Sequence, residues 1–495
     1  MLATGATSCT WQGGKSGSAA TQAAAPKPRS VPAELPDTAY PSADVIKYNV
    51  EIDDSTSPRV DLSKQYYDGD DVLTFRKNPL RNADFGGRVK GTPDSVAVAW
   101  EFETATDNRK TKFGVWTGGS GWTGQPLYLK KSNEIVVGSL CSRVYFIDFN
   151  TGKATRPSLD CLNPIKGTVS KDPELPLLYV GQGVPAAEPF GKMAWNIDTR
   201  KLVTPPARDP KALRGWNGND GCAVVVGDFL FWASENGSFY KYRRSATGGL
   251  QRAAVLRYTV NGSAPGTENS LCVYSNYGFF GDNHGNVICV NLNTMKPVWR
   301  YDLHDDIDAS IVCQVEGGKP YLYAACEVDK LGPIGQSHIV KLNALNGEQV
   351  WETHIECKQL KLGEKTLDGG VYCTPLLGHG DCEGLLFANV CRNSVPGAKS
   401  AGEFTAFSTR DGHIVYVTPL RTFAWSSPVA FYNERNECFI LTGDSEGNVY
   451  LLRGKTGEIL YKKHIAANFE SSPVVVGNAA VVGSRQNGIY KLVVQ

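Results

Sequence analysis

The sequence predicts an all-β chain: an eight-bladed β-propeller of four-stranded antiparallel blades, with an N-terminal strand closing the last blade. Three observations carry the prediction. The first is one complete unit at residues 425–465, WSSPVAFYNERNECFILTGDSEGNVYLLRGKTGEILYKKHI, in which four short apolar runs are separated by hairpin turn residues. The second is recurrence. The turn before the fourth run returns as Asn150-Thr151-Gly152, Asp198-Thr199, Thr247-Gly248, Asn293-Thr294, Asn346-Gly347, Asp411-Gly412 and Thr456-Gly457. Successive turns lie roughly 45 to 65 residues apart, the scale of a four-strand blade. The third is a large aromatic residue four places beyond the turn: Trp299, Trp351, Tyr416 and Tyr461. One such sheet cannot bury both faces, so the units must stack, and stacking closes into a ring.

Taken in order, the elements begin at residues 66–89, which contain DVLTFRKNPLRNADFGG. Residues 96–104, VAVAWEFET, alternate like a strand and carry Trp100, a fourth strand without its first three. Blades one to seven are expected at 123–159, 168–203, 222–260, 270–303, 310–355, 371–420 and 425–465. The final segment, SSPVVVGNAAVVGSRQNGIYKLVVQ, supplies three strands. Pairing residues 96–104 with it completes blade eight and removes two exposed sheet edges. A misreading of blade two or three would leave seven.

The first 58 residues differ in kind. TWQGGKSGSAATQAAAPKPRSVPAELP is rich in Ala, Gly, Ser and Pro and reads as a flexible tether. Residues 59–95 form a lead-in segment expected to pack on the propeller, which occupies 96–495. The small residues Leu2 to Ser8 before Cys9 resemble the end of a bacterial lipoprotein signal, which would make Cys9 the lipid attachment residue. No basic n-region and no full apolar h-region accompany it, so the expectation includes a longer signal upstream. The plainer alternative is an ordinary disordered N-terminus.

Composition excludes several classes. Formal charge is +1 with no long basic or acidic run, which argues against a nucleic-acid binder or a polybasic membrane sensor. No apolar run reaches the ~18 residues of a membrane-spanning helix. Thirteen cysteines leave twelve beside Cys9, and most fall at unrelated positions of different strands. They read as small core residues, with one or two disulfides as the alternative and Cys141 with Cys161 as the candidate pair. Without a CxxC motif, a structural zinc site is not expected. P-loop and H-E-x-x-H motifs are also missing.

The runs CVNLNTMKPVW, KLNALNGEQVW, AFSTRDGHIVY and LLRGKTGEILY follow a loose A-x-D-x-x-T-G-x-x-x-W pattern. This resembles the tryptophan-docking repeat of the PQQ-like, quinoprotein alcohol dehydrogenase-like propellers. Phe75-Arg76-Lys77-Asn78-Pro79, followed by Gly86, resembles the segment that precedes their first blade. The resemblance covers roughly residues 75–495. It implies one of two kinds of protein. One binds pyrroloquinoline quinone, with a vicinal Cys-Cys pair over the cofactor and a Glu/Asn/Asp set holding calcium. The other is non-catalytic, like the propeller lipoprotein of the outer-membrane β-barrel assembly machinery. No two cysteines are adjacent here, and His304-Asp305-Asp306-Ile307-Asp308 lacks the spaced form of a calcium loop, so it reads as a solvated turn. The expectation is the non-catalytic kind, with no catalytic, cofactor or metal residues. A quinone-dependent oxidoreductase is the main alternative. A propeller glycoside hydrolase or lyase, using a pair such as Glu268 and Asp308, is the other.

The expected activity is therefore binding: a monomeric scaffold of the bacterial cell envelope, lipid-anchored, periplasmic or at the cell surface. Its partner would be an envelope protein or glycan, with no nucleic acid and no membrane contact beyond the anchor. Loops between second and third strands emerge on the same face as the links between blades. The three long inserts, at 184–190, 328–335 and 392–400, all fall there, and loops gathered on a rigid scaffold are where binding is usually found. The links add Trp116, Trp122, Trp216, Trp425 and Phe469 as candidate partner-binding residues. The competing reading has these rings wedged between blades.

Overall fold

The computed structural model describes residues 1, 32–55, 59–82, 84–362, 365–393 and 395–495. Eight antiparallel sheets stand around one axis, and in seven of them the four blade strands follow chain order from the axis to the rim. Blade one runs from Leu127–Leu129 to Leu159–Asp160. Blade seven runs from Val429–Tyr432 to Ile459–His464. Blade eight is shared between the two halves of the chain. Val96–Glu103 lies antiparallel to Gly488–Val494, with Val96 opposite Val494 and Glu103 opposite Gly488.

The docking aromatics join each blade to the next. Trp299 of blade four is fully buried and donates its indole N–H to Ala344 O of blade five at 3.1 Å. Trp351 reaches Thr409 O of blade six, and Trp100 of blade eight reaches Phe149 O of blade one, both at 2.9 Å. Each ring lies on the next blade's turn glycine. At Gly347 the backbone has φ +74°, and an added Cβ would stand 2.6 Å from the Trp299 ring. Gly347→Ala is therefore expected to cost about 1–3 kcal/mol, from left-handed strain and a displaced indole. The urea midpoint checks this.

Nearer the axis, hydroxyls of the links staple neighbouring blades. Cys222 N–H donates to Ser270 Oγ, Ser270 N–H to Ser310 Oγ, Ser310 N–H to Thr374 Oγ1, and Thr374 N–H to Ser427 Oγ, at 2.9–3.2 Å. Ser427 N–H continues to Ser472 Oγ at 3.4 Å, and Gln125 N–H meets Thr168 Oγ1 at 2.8 Å. These bonds satisfy backbone donors that no sheet ladder could reach.

The lead-in segment closes one mouth of the axis. Residues 72–89 bond to all eight blades. Val72 pairs with Tyr128 of blade one, and Leu73 O accepts from Lys171 N–H of blade two. Thr74 donates to Ala223 O of blade three. Pro79 and Leu80 carbonyls accept from Val273 and Cys313 of blades four and five. The Arg76 guanidinium spans blades six and seven through Pro375 O (3.2 Å) and Pro428 O (2.9 Å). Arg88 N–H meets Gly477 O of blade eight. Arg76 is 1% exposed and Arg81 0%.

Two features differ from the sequence expectation. Ile46–Ile52, within the stretch read as a tether, is a fifth strand on blade three, with Ile46 opposite Val260 and Ile52 opposite Ala254. Its alternating Ile46, Tyr48, Val50 and Ile52 are the strand signal, and its Glu51 pairs with Arg252 and Arg257. Cys9 and the rest of 2–31 lie outside the described residues. The twelve other cysteines are free and buried, so the Cys141–Cys161 disulfide is not formed. Cys141 instead contacts Ser139 and Tyr145.

Candidate functional site

The open end of the axis lies on the face of the links. The residue two places before each stapling position forms a ring there: Trp122, Lys166, Asp220, Glu268, Asp308, Tyr372, Trp425 and Glu470. Blades two to five contribute charge, and blades six, seven and one contribute aromatic rings. Tyr372 stacks on Trp425 at 5.0 Å, and Trp122 stands 5.8 Å from Tyr372 and 6.3 Å from Trp425. Lys166 touches Asp220, lies 3.6 Å from Glu268 and sits 5.8 Å over Trp122. Phe75 of the lead-in segment is among the residues that line the well.

Further carboxylates crowd this ring. Glu235, from the hairpin of blade three, accepts the Trp216 indole N–H, and one carboxylate oxygen of each of Asp220, Glu235 and Glu268 lies within 4.8 Å of the others. Glu327, 2% exposed, sits against Asp308 and Tyr372. Burial, with Glu268 beside it, pushes the Asp220 carboxyl up to about 7 even though Lys166 touches it. Asp306 is likewise raised by burial to about 7 despite Lys330 at 3.1 Å. Burial and then neighbouring carboxylates hold Glu235, Asp308 and Glu327 well above the usual range. Burial opposes the charge on Lys166, but Asp220 and Glu268 outweigh it and raise its pKa. Beside Glu470, which Arg485 pairs, six carboxyl groups therefore share two lysines in a place partly shut off from water, where an added cation is strongly favoured.

The expected partner residues divide. Trp122 and Trp425 come together at the well. Trp216 forms a second patch with Phe113 (5.7 Å) and Phe190 (5.5 Å), capped by the Lys112 ammonium 3.9 Å over its ring. Trp116 is partly buried with Arg485 over its ring at 5.4 Å. Phe469 is a correction: it is 1% exposed, packed in the core shared by blades seven and eight, because Gly443 leaves room for its ring. The acidic turn at 304–308 is also not solvated. Asp305 is buried and accepts the N–H groups of Asp329 and Lys330, holding the blade-five insert against the link. The other two inserts are tied to links as well, through Asn163 to Ala186 and Ala187, and through Asn393 to Asp368. Lys166, Asp220, Glu235, Glu327 and Tyr372 were not singled out from sequence.

Fold and well together define an eight-bladed β-propeller whose axis is covered at one mouth by the lead-in segment. Solved structures of that architecture are similar to it. The quinohemoprotein alcohol dehydrogenase ADHIIG of Pseudomonas putida HK5 matches with a TM-score of 0.60 at 13% identity, over 86% of this chain and 80% of that one. A europium-containing methanol dehydrogenase matches with a TM-score of 0.60 at 11% identity, over 87% and 99%. BamB of Moraxella catarrhalis matches with a TM-score of 0.50 at 13% identity, over 81% and 100%. No protein-family model matches the sequence. A curated human protein, beta-alanine-activating enzyme, is 28% identical over 83 residues, which span 16% of this chain and 8% of that enzyme. The fold is thus shared by enzymes and by BamB. Among the described residues no helix is long and apolar enough to cross a membrane.

The well fits pyrroloquinoline quinone poorly. That cofactor is a tricarboxylate, and the two lysines that would answer it are already paired with Asp220 and Asp306. No adjacent cysteines cover the site. Asn269, the one amide lining the well, spends its side chain on Gly281 and Ile307.

Proposed function

We propose that this chain is a non-enzymatic binding propeller of the bacterial cell envelope, anchored through Cys9 and monomeric, which grips a protein partner on its link face. The observation that supports this reading is the acidic, aromatic-walled well, open on that face alone. Carboxylates flanked by Trp122, Tyr372 and Trp425 suit a lysine or arginine side chain, held by charge-assisted hydrogen bonds and by the ring faces. The Trp216–Phe113–Phe190 patch and the three tied-down inserts extend the contact area around it. The fold shared with BamB supports the envelope setting.

The test is photo-crosslinking from positions 113 and 122 of the full-length lipidated protein in its own envelope. One defined partner band is expected, weakened at least tenfold by Glu268→Gln combined with Trp425→Ala. Crosslinks that ignore this pair of changes would sink the reading. Incubation with the quinone and calcium is expected to yield no dye reduction.

One observation favours a second reading. Asp308, its pKa raised by burial and by Glu268 near it, stands beside aromatic platforms, an arrangement that glycosidases use for acid catalysis. Polysaccharide cleavage lost in both Asp308→Asn and Glu268→Gln would establish it.

A further inference from the structure

At the rim of the link face, between blades four and five, two of the seven histidines, His338 and His354, meet at Glu352, and a third, His304, lies against His338. His338, on Ile334–Asn343, and His354, on Gln349–Lys358, are direct cross-strand partners, and Glu352 lies two residues before His354 on the same face. His338 Nδ1 is 2.8 Å from Glu352 Oε1, and His354 Nε2 is 3.5 Å from Glu352 Oε2. The His338 and His354 rings lie 4.4 Å apart. His304, on the link between the two blades, brings its ring to 4.7 Å from His338. Its backbone is left-handed, with φ +72°.

We infer that His338, Glu352 and His354 form a binding site for a zinc-class divalent ion, with His304 as the available fourth ligand. Two imidazoles and a carboxylate are a donor set that suits Zn²⁺ and its transition-metal neighbours rather than Ca²⁺ or Mg²⁺, which take oxygen ligands. Tetrahedral Zn²⁺ with ligands near 2.05 Å sets its donors about 3.3 Å apart. One donor atom from each of the three residues already lies within 4.8 Å of the others, and the two contacts to Glu352 straddle the tetrahedral spacing. Tyr301 reaches the far Glu352 oxygen at 3.4 Å, orienting that carboxylate from blade four. A bound ion would tie the blade-four link to the outer strands of blade five, independently of what the axial well holds.

Calorimetric titration of the chelator-treated full-length protein with ZnSO4, and separately with MgCl2 and CaCl2, tests the site. Zn²⁺ is expected to bind at this site, while the other two ions leave it empty. His354→Ala and Glu352→Gln should each weaken the zinc affinity more than about tenfold, whereas His413→Ala, on the blade-six turn, should not. His354 is half exposed, so its loss leaves the fold standing, and the raised melting temperature that zinc gives the parent should vanish in that variant. A parent that binds no zinc, or one whose affinity survives both His354→Ala and Glu352→Gln, overturns the assignment.

Discussion

Arg76→Ala is expected to lower stability by about 3 kcal/mol, more than most single surface or loop changes. The guanidinium is fully buried and makes no ion pair among the described residues. Burial brings its pKa down only to about 10, so it stays charged at neutral pH. Its stabilisation comes from the carbonyls of Pro375 and Pro428, and a hydrogen bond from a charged donor is worth about 1.5–3 kcal/mol. Removal leaves two carbonyls without a donor and a void beneath the well. Relief of the buried charge offsets part of that loss. Arg76→Lys keeps the charge without the planar fork, so it should fall between alanine and the parent. The urea midpoint at unchanged slope is the measurement. A variant as stable as the parent would mean that the lead-in segment merely lies on the ring.

Stability should fall as pH rises from about 4 to 7. Asp220 and Asp306 hold their protons to about 7 in the folded chain but release them near 3.8 when unfolded. Across that interval the native state binds more protons than the unfolded state, so each step up in pH favours unfolding. The well as a whole should contribute about 2–4 kcal/mol of such dependence, since these carboxyls share the same protons and do not add. His338 and His284 act in the opposite sense below about 6.5, because burial depresses their pKa values. Comparison with Glu327→Gln isolates the well. That variant should be more stable than the parent at pH 7.5 and show a flatter profile, as judged by urea midpoints between pH 4.5 and 7.5. A parent profile that rises with pH and is unchanged by the substitution would contradict the raised carboxyl pKa values.

The blades were legible because their signals repeat. Hairpin glycines and the docking aromatics recur in register, and every copy reinforces the others. The well was not legible for the opposite reason. Its ring occupies one equivalent position per blade, yet reads Trp, Lys, Asp, Glu, Asp, Tyr, Trp and Glu, so no letter recurs to mark it. Only alignment on the stapling hydroxyl two residues later would have exposed it. Glu235 and Glu327 enter from hairpin and insert positions, which only the folded ring brings to the axis. Phe469 and Asp305 show the limit of reading exposure from a loop, since both sit in links and both are buried. Ile46–Ile52 was masked by its Pro- and Ala-rich surroundings, although its own alternation is regular.

The clasp on blade eight has a consequence for biosynthesis. Apart from the fifth strand on blade three, Val96–Glu103 precedes all the other blade strands in the chain, and its mate Gly488–Val494 follows all of them. While the strands between them are made, the nascent polypeptide carries a bare strand awaiting its complement, so the circle cannot shut before Gly488–Val494 has emerged. Any chain cut short upstream of Gly488 is left with two sticky margins. Emergence of that strand is thus the event that converts an open arc into a sealed body.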